Sequence, residues 1–204
     1  MLAVMHSLRV KGLAEIDALV VSTGLPAAEV ARVLESLRDE GLAQHRDGAV
    51  SGWGLTTAGR ARAAELVASD LEGEAPAKAR IDDGYRRFLP INREVLAACT
   101  DWQVREVGDS RVINDHADEG YDREVLDRVL ALHGKAEPVL GDLADALPRF
   151  RTYSGRLANA VARVQAGEYD WLVQPGIDSF HSVWFELHED LLTTLGIERS
   201  KEES

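Results

Sequence analysis

The first 70 residues carry apolar positions at helical spacing, followed by two short extended runs. A helix is predicted over 13–22, and a tight turn follows at 23–25. Pro26 opens a second helix because its fixed φ suits the first helical position. Gly41 ends this helix, since glycine readily adopts positive φ. The apolar residues of the second helix repeat on one face: Val30, Val33, Leu34 and Leu37.

Extended runs at 42–46 and 50–55 flank Asp47-Gly48, a pair typical of a hairpin turn. Thr56 or Thr57 is placed to cap a further helix, which carries Arg60 and Arg62. Helix, turn, helix, hairpin and helix, in that order, is the plan of a winged helix-turn-helix. One helix of such a domain can lie in the major groove of DNA.

The rest of the chain has almost entirely helical patterns, with apolar stripes that would face a shared core. Helices are predicted over 91–104, 122–133, 135–147, 149–166 and 177–195. A polar loop is predicted over 108–120; the alternative, a short strand within 104–112, is disfavoured by poor alternation. The predicted fold is mostly α: an N-terminal winged helix-turn-helix domain followed by a C-terminal helical bundle of four or five helices.

Gly73 and Pro76 interrupt the helical pattern and mark a domain boundary. The winged helix-turn-helix domain is assigned to 1–72 and the helical bundle, which would dimerise or bind an effector, to 80–199. Residues 200–204 are predicted to form a disordered tail.

The runs STGLPAAEVARVLESLRDEGLA and WGLTTAGR resemble the DNA-binding domain of MarR-like transcriptional regulators. The resemblance covers about the first third of the chain. It implies that residues 26–39 form the recognition helix and that Asp47-Gly48 forms the tip of the wing.

The charge of the chain limits how it can bind DNA. Its formal net charge is −12, and residues 1–70 carry seven Lys and Arg against nine Asp and Glu, a difference of −2. Contacts to phosphates need Lys or Arg, and a basic surface is the usual sign of a nucleic-acid binder. DNA binding therefore depends on a few placed groups, which we predict to be Ser22, Thr23, Ala27, Ala28, Arg32, Arg46, Gly48 and Arg60.

Different contacts are expected of these residues. Arg32 would contact guanine or a phosphate, while Ser22 and Thr23 would donate to phosphates. The alanines would pack on thymine methyl groups, and Arg46 beside the wing would enter a minor groove. Alternatively, Arg32 and Arg38 pair with neighbouring acids on a solvated helix face. The domain would then be an acidic adaptor that binds a protein without binding DNA.

Polar and aromatic residues of the second part suggest an effector site formed by Trp102, Arg105, Asn114 and His116. Asp and Asn at 114–118 also suit turns and helix caps, which is the structural alternative. His181 and His188 stand seven residues apart, with Asp178 one turn before the first. This pattern does not define a metal site, and we predict neither a metal nor a cofactor.

The remaining composition favours a cytoplasmic protein that is not an enzyme. The single cysteine, Cys99, cannot form an internal disulfide, and it lies on an apolar helix face where a thiol is usually inert. The N-terminal residues lack a signal-peptide pattern, and the chain has no apolar run of membrane-spanning length. We found no nucleophile elbow, P-loop or dinucleotide-binding glycine motif. The expected partners are double-stranded DNA, a second copy in a homodimer and a small-molecule effector, with no membrane.

Overall fold

The computed structural model describes residues 1–48, 51–70, 75–108 and 110–199. This part of the chain is mostly helical, as the sequence predicts, and it contains two small antiparallel sheets. No helix within it is long and apolar enough to cross a membrane. The elements in chain order are α1 (Leu2–Lys11), α2 (Ile16–Thr23), α3 (Ala27–Asp39), β1 (Ala43–Arg46), β2 (Gly52–Leu55), α4 (Thr57–Asp70), α5 (Ala75–Gln103), β3 (Val104–Val107), β4 (Ser110–Ile113), α6 (Glu119–Ala146), a 3-10 turn (Pro148–Phe150), α7 (Arg151–Gln165), α8 (Asp170–Val173) and α9 (Phe180–Leu195).

The chain divides into two compact units. The first contains Met1–Ala79 together with the chain from Glu186 onward, and the second contains Arg80–Phe185. The sequence analysis places residues 186–199 in the C-terminal bundle, whereas the structure groups them with the first unit. The predicted tail at 200–204 lies outside the described residues.

Two buried polar contacts join the end of α9 to α1 within the first unit. The Lys11 Nζ atom lies 2.6 Å from Glu186 Oε1, and the two side chains are 9% and 10% exposed. The His6 Nε2 atom lies 2.9 Å from Asp190 Oδ1. Removing one partner of the Lys11–Glu186 pair would leave an uncompensated buried charge, which opposes separation of α9 from α1. Sequence periodicity does not reveal such pairings, because it identifies buried faces without naming their partners.

The sequence analysis did not predict the helix α1. Its side chains pack with those of α2, α3 and the first sheet in one hydrophobic core. The fully buried members of this core include Val4, Met5, Leu19, Val30, Leu34 and Leu37.

Two helices of the second unit are longer than predicted. The helix α5 runs through Pro90, whereas the sequence analysis begins a helix only at residue 91. The helix α6 runs through Gly134, where the sequence analysis ends one helix and begins the next, and also through Pro138. A proline removes one helical hydrogen bond but does not by itself end a helix whose apolar face is packed. Buried residues on both sides of these breaks, such as Phe88 and Val95 in α5, stabilise the continuous helices.

The hairpin β3–β4 corrects the sequence analysis: β3 lies within 104–112, where a strand was disfavoured, and β4 lies within the segment predicted as a polar loop. Its register pairs Val104 with Ile113 and Val107 with Ser110. Every residue of β4 is exposed, so this strand lacks the alternation that identifies half-buried strands. Main-chain pairing forms the hairpin although neither strand has a buried face.

Candidate nucleic-acid interface

The hairpin β1–β2 also pairs with the main chain at Ala14, just before α2. The strands β1 and β2 pair antiparallel, with His45 opposite Trp53. On the other side of β2, Ala14 exchanges two main-chain hydrogen bonds with Trp53, of 3.0 and 2.8 Å. Gly52 permits this approach, because a Cβ atom there would lie 3.0 Å from the Ala14 carbonyl carbon. The sheet thus fixes the chain entering α2 relative to the hairpin.

The helix α3 buries one face and exposes the other. Val30, Leu34 and Leu37 are completely buried, whereas Ala27, Ala28 and Arg32 are exposed. This division agrees with the predicted apolar face and leaves the three predicted contact residues open to a partner.

The two arginines of α3 have different surroundings. The Arg38 guanidinium pairs with Glu35 and lies 4.0 Å from an Asp39 oxygen. Among the described residues, Arg32 has no such acidic partner. The sequence alternative of locally paired arginines therefore applies to Arg38 and not to Arg32. One unneutralised cation remains on the exposed face of the helix.

The hydroxyl groups at the turn between α2 and α3 are engaged by the protein itself. Thr23 Oγ1 donates to the Leu19 carbonyl at 2.6 Å. Ser22 Oγ lies 2.5 Å from Ser7 Oγ and 3.3 Å from the Leu19 carbonyl. A hydroxyl has a single proton, so Thr23 as placed has none left for a phosphate. Phosphate donation by Ser22 and Thr23 remains a prediction that requires these hydroxyls to rotate.

The end of β1 presents a second cation. Arg46 is exposed and has no ion-pair partner in the described part of the chain. Its neighbour His45 lies between two carboxylates, 3.6 Å from Glu15 and 3.2 Å from Asp47. Gly48 is exposed and has a φ of 150°. Residues 49–50 lie outside the described residues, and they include Val50, the first residue of the predicted second extended run.

Arg60 is positioned by the main chain of the hairpin. Its Nη1 atom donates to the Leu55 carbonyl at 2.9 Å, and its own carbonyl accepts from Arg9 at 3.2 Å. Arg60 therefore joins α4 to the end of β2. Among the described residues, neither Arg32 nor Arg46 makes such a main-chain hydrogen bond through its guanidinium group.

Thr56, one of the two predicted capping residues, caps α4. Its Oγ1 accepts from the Gly59 amide at 3.1 Å and donates to the Gly41 carbonyl at 2.8 Å. These bonds join the end of the α3 segment to the start of α4. They hold both ends of the hairpin in place.

In the second unit, three of the four residues predicted to bind an effector form one cluster. The Trp102 and His116 rings are 4.4 Å apart, and Asn114 Nδ2 lies 3.2 Å from His116 Nδ1. Asp122 completes the cluster by contacting His116 Nδ1 at 2.9 Å and Asn114 Nδ2 at 2.7 Å. Trp102 and Asn114 are buried, so His116, whose φ is 57°, is the exposed member.

Arg105 lies apart from this cluster and beside a groove. It contacts Asp118 at 3.3 Å and stacks over the Tyr121 ring at 5.1 Å. The groove has a volume of about 690 Å³ and is lined by Arg105, Val107, Val112, Ile113, Asp115, Ala117, Asp118 and Glu119. Sequence reasoning missed Asp122 and Tyr121, because their contacts with His116 and Arg105 depend on how the loop folds back onto α6. Asp118 does act as the cap of α6, accepting from the Tyr121 amide at 3.1 Å.

Asp178, which the sequence analysis considered together with His181 and His188, pairs with an arginine instead. Its carboxylate binds the buried Arg156 guanidinium through bonds of 2.7 and 2.9 Å. Within the described residues, no group of three or more histidines, cysteines and acids is arranged to hold a metal ion.

Comparison with protein-family models, curated proteins and solved structures finds no match to the chain.

Proposed function

We propose that the first unit is a winged helix-turn-helix that binds double-stranded DNA, and that the chain is a transcriptional regulator. The exposed side of α3, with Arg32 unneutralised beside Ala27 and Ala28, is the observation that carries this proposal. Small side chains allow close approach to base edges, and an arginine can bind guanine or phosphate. The small sheet formed by Ala14, β2 and β1 also supports a winged helix-turn-helix, since a winged domain needs a small sheet beside its recognition helix.

The proposed mode of binding places α3 in the major groove and the hairpin, with Arg46, beside the adjacent minor groove. Few cations are available, so each should matter. A second copy would double the contacts on a two-fold operator. The helical second unit would supply dimerisation and an effector site near His116.

Fluorescence anisotropy with labelled duplexes from the DNA flanking the gene tests this proposal, with an unrelated duplex for comparison. We expect salt-dependent binding that Arg32→Ala weakens by about 5- to 150-fold, the equivalent of roughly 1–3 kcal/mol for a good base contact. Arg38→Ala is the matched control, since it removes the same charge from the same helix. It should change the affinity much less, because Glu35 already neutralises Arg38.

An absence of salt-dependent binding by the folded protein would refute the proposal. Equal losses in the two variants would contradict the assigned role of Arg32, because only net charge would then matter.

The alternative is an acidic adaptor that uses the winged helix to bind a protein. The observation favouring it is the acidity of α3, where Glu29 and Glu35 are exposed and Arg38 is neutralised. A stoichiometric protein partner recovered without DNA, and lost on Glu29→Lys, would favour this function.

A further inference from the structure

The hairpin β3–β4 leaves an apolar strand edge uncovered. In the described part of the chain its sheet has two strands, and all residues of β4 are exposed. Ile113 is 84% exposed and Val112 is 40% exposed, both on the groove of about 690 Å³. Exposed strand edges are templates for pairing with another strand, and proteins usually protect them.

The hydrogen-bond pattern shows which groups this edge offers. The Asn114 amide donates to the Gln103 carbonyl at 2.9 Å, so the main chain at Asn114 faces β3. Because these directions alternate along an antiparallel strand, the main-chain groups of Arg111 and Ile113 face the outer edge. They are available to a further strand.

The segment 111–115 is complementary to itself when antiparallel. Its sequence, Arg-Val-Ile-Asn-Asp, pairs Ile113 with Ile113 of a second copy when the two-fold axis passes between them. Arg111 then lies opposite Asp115 of the second copy, and this pair occurs twice. This register also agrees with the alternating direction of the main-chain groups. Arg111, Ile113 and Asp115 are alternate residues, so their main-chain groups face the same outer edge.

We propose that the β4 edge is a homodimer interface, in which residues 111–115 of two copies pair antiparallel about Ile113. Charge complementarity supports a second copy as the occupant. Arg111 has no ion-pair partner among the described residues, and Asp115 Oδ1 makes a turn bond of 3.2 Å with the Ala117 amide. The segment 111–115 is neutral, so pairing it with itself brings no net charge together locally, although each chain carries a net charge of −12.

This inference deepens the proposed function, since a regulator of a two-fold site needs a dimer. The interface is small: five paired residues bury less than the roughly 1,200–2,000 Å² of a standard stable complex. The dimer should therefore be concentration-dependent, with the adjoining groove adding contacts beyond the strand.

Charge exchange tests the register. Sedimentation velocity of the full chain, without DNA, should show a monomer–dimer equilibrium. Arg111→Asp places two carboxylates opposite each other twice, and Asp115→Arg places two guanidinium groups opposite each other twice, so each variant alone should be monomeric. An equimolar mixture restores both ion pairs and should form a heterodimer. The double variant should form a homodimer again.

Ile113→Asp should abolish the dimer, whereas Leu96→Asp, which changes another exposed apolar residue of the same unit, should leave it unchanged. Circular dichroism checks that each variant is folded, which matters because Asp115→Arg also removes a turn bond. A wild-type chain that stays monomeric at its highest soluble concentration would overturn the proposal. So would folded variants whose mixture and double form remain monomeric. Since these assays contain no DNA, their failure is separate from failure of DNA binding.

Discussion

Gly59→Ala should destabilise the first unit although it places a better helix former in a helix. Gly59 lies in the first turn of α4, where the helix passes directly against the chain entering β1. A Cβ atom at this position would lie 1.9 Å from the Leu42 carbonyl oxygen and 2.9 Å from its carbonyl carbon. Both are main-chain atoms, so no side-chain rotation can relieve the overlap.

The loss of free energy of unfolding can be estimated from the displacement of the Leu42 carbonyl. The Leu42 carbonyl also accepts from the Thr56 amide at 3.0 Å and, at 3.3 Å, shares the Thr56 Oγ1 proton with the Gly41 carbonyl. Overpacking costs about 1–3 kcal/mol, and each disturbed hydrogen bond costs about 1 kcal/mol. The gain in helix propensity, about 1 kcal/mol, offsets a part. We expect the free energy of unfolding to fall by about 2–4 kcal/mol.

Urea unfolding of the full chain, followed by far-UV circular dichroism, measures the change. Amide hydrogen exchange in β1 and β2 locates it, since two units need not unfold together. Gly155→Ala is the matched control: this exposed glycine lies within α7 and has no atom within 4 Å of an added Cβ. The control should gain about 0.5–1 kcal/mol. A Gly59→Ala chain as stable as the wild type, with unchanged exchange in the hairpin, would refute the argument.

Three further predictions concern the second unit. Trp184 Nε1 donates to Asn92 Oδ1 at 2.9 Å in the core, so Asn92→Ala should cost about 1–3 kcal/mol in urea unfolding. The exposed Asn159→Ala should cost little, and equal effects would contradict the burial argument. Burial raises the pKa of the Cys99 thiol to about 12. Thiol reagents at about pH 8 should therefore label the folded chain slowly and the urea-unfolded chain rapidly; fast native labelling would show an exposed thiolate. Burial lowers the pKa of His181 below its ordinary value of 6.5. The unfolded state therefore binds the proton more readily, and stability should be complete above that value and decline as the pH falls below it. His181→Gln should lessen this decline in the urea midpoint, and an undiminished decline would show that other groups cause it.

The buried and exposed faces of the candidate interface could be predicted, because they depend on the spacing of apolar residues within α3. The apolar face of α3 follows from its spacing, so the sequence also identified Ala27, Ala28 and Arg32 as exposed. The distinction between Arg32 and Arg38 required side-chain positions, because both have acids nearby in sequence. Arg60 was assigned to DNA on its charge, but its guanidinium binds the Leu55 carbonyl, a partner set by the way α4 packs on the hairpin.

Long-range pairing limited the prediction of the second unit. Asn114 and His116 were selected for their chemistry, and their contacts with Asp122 depend on how the loop returns to α6. The predicted start of α5 at residue 91 was wrong, since this helix begins at Ala75 and local propensity omits the stabilisation provided by packing. The β3–β4 hairpin lacks a buried face, so its apolar pattern gives no signal.

The sequence by itself determined that the described chain is mostly helical, that a hairpin follows α3 and which face of α3 is buried. These properties depend on spacing and turn chemistry within a few residues. Only the tertiary structure decided that the end of α9 joins α1 through Lys11 and His6, and which cations stay unneutralised. Such features depend on pairs of residues far apart in the chain. Their energies come from burial and geometry that no local pattern contains.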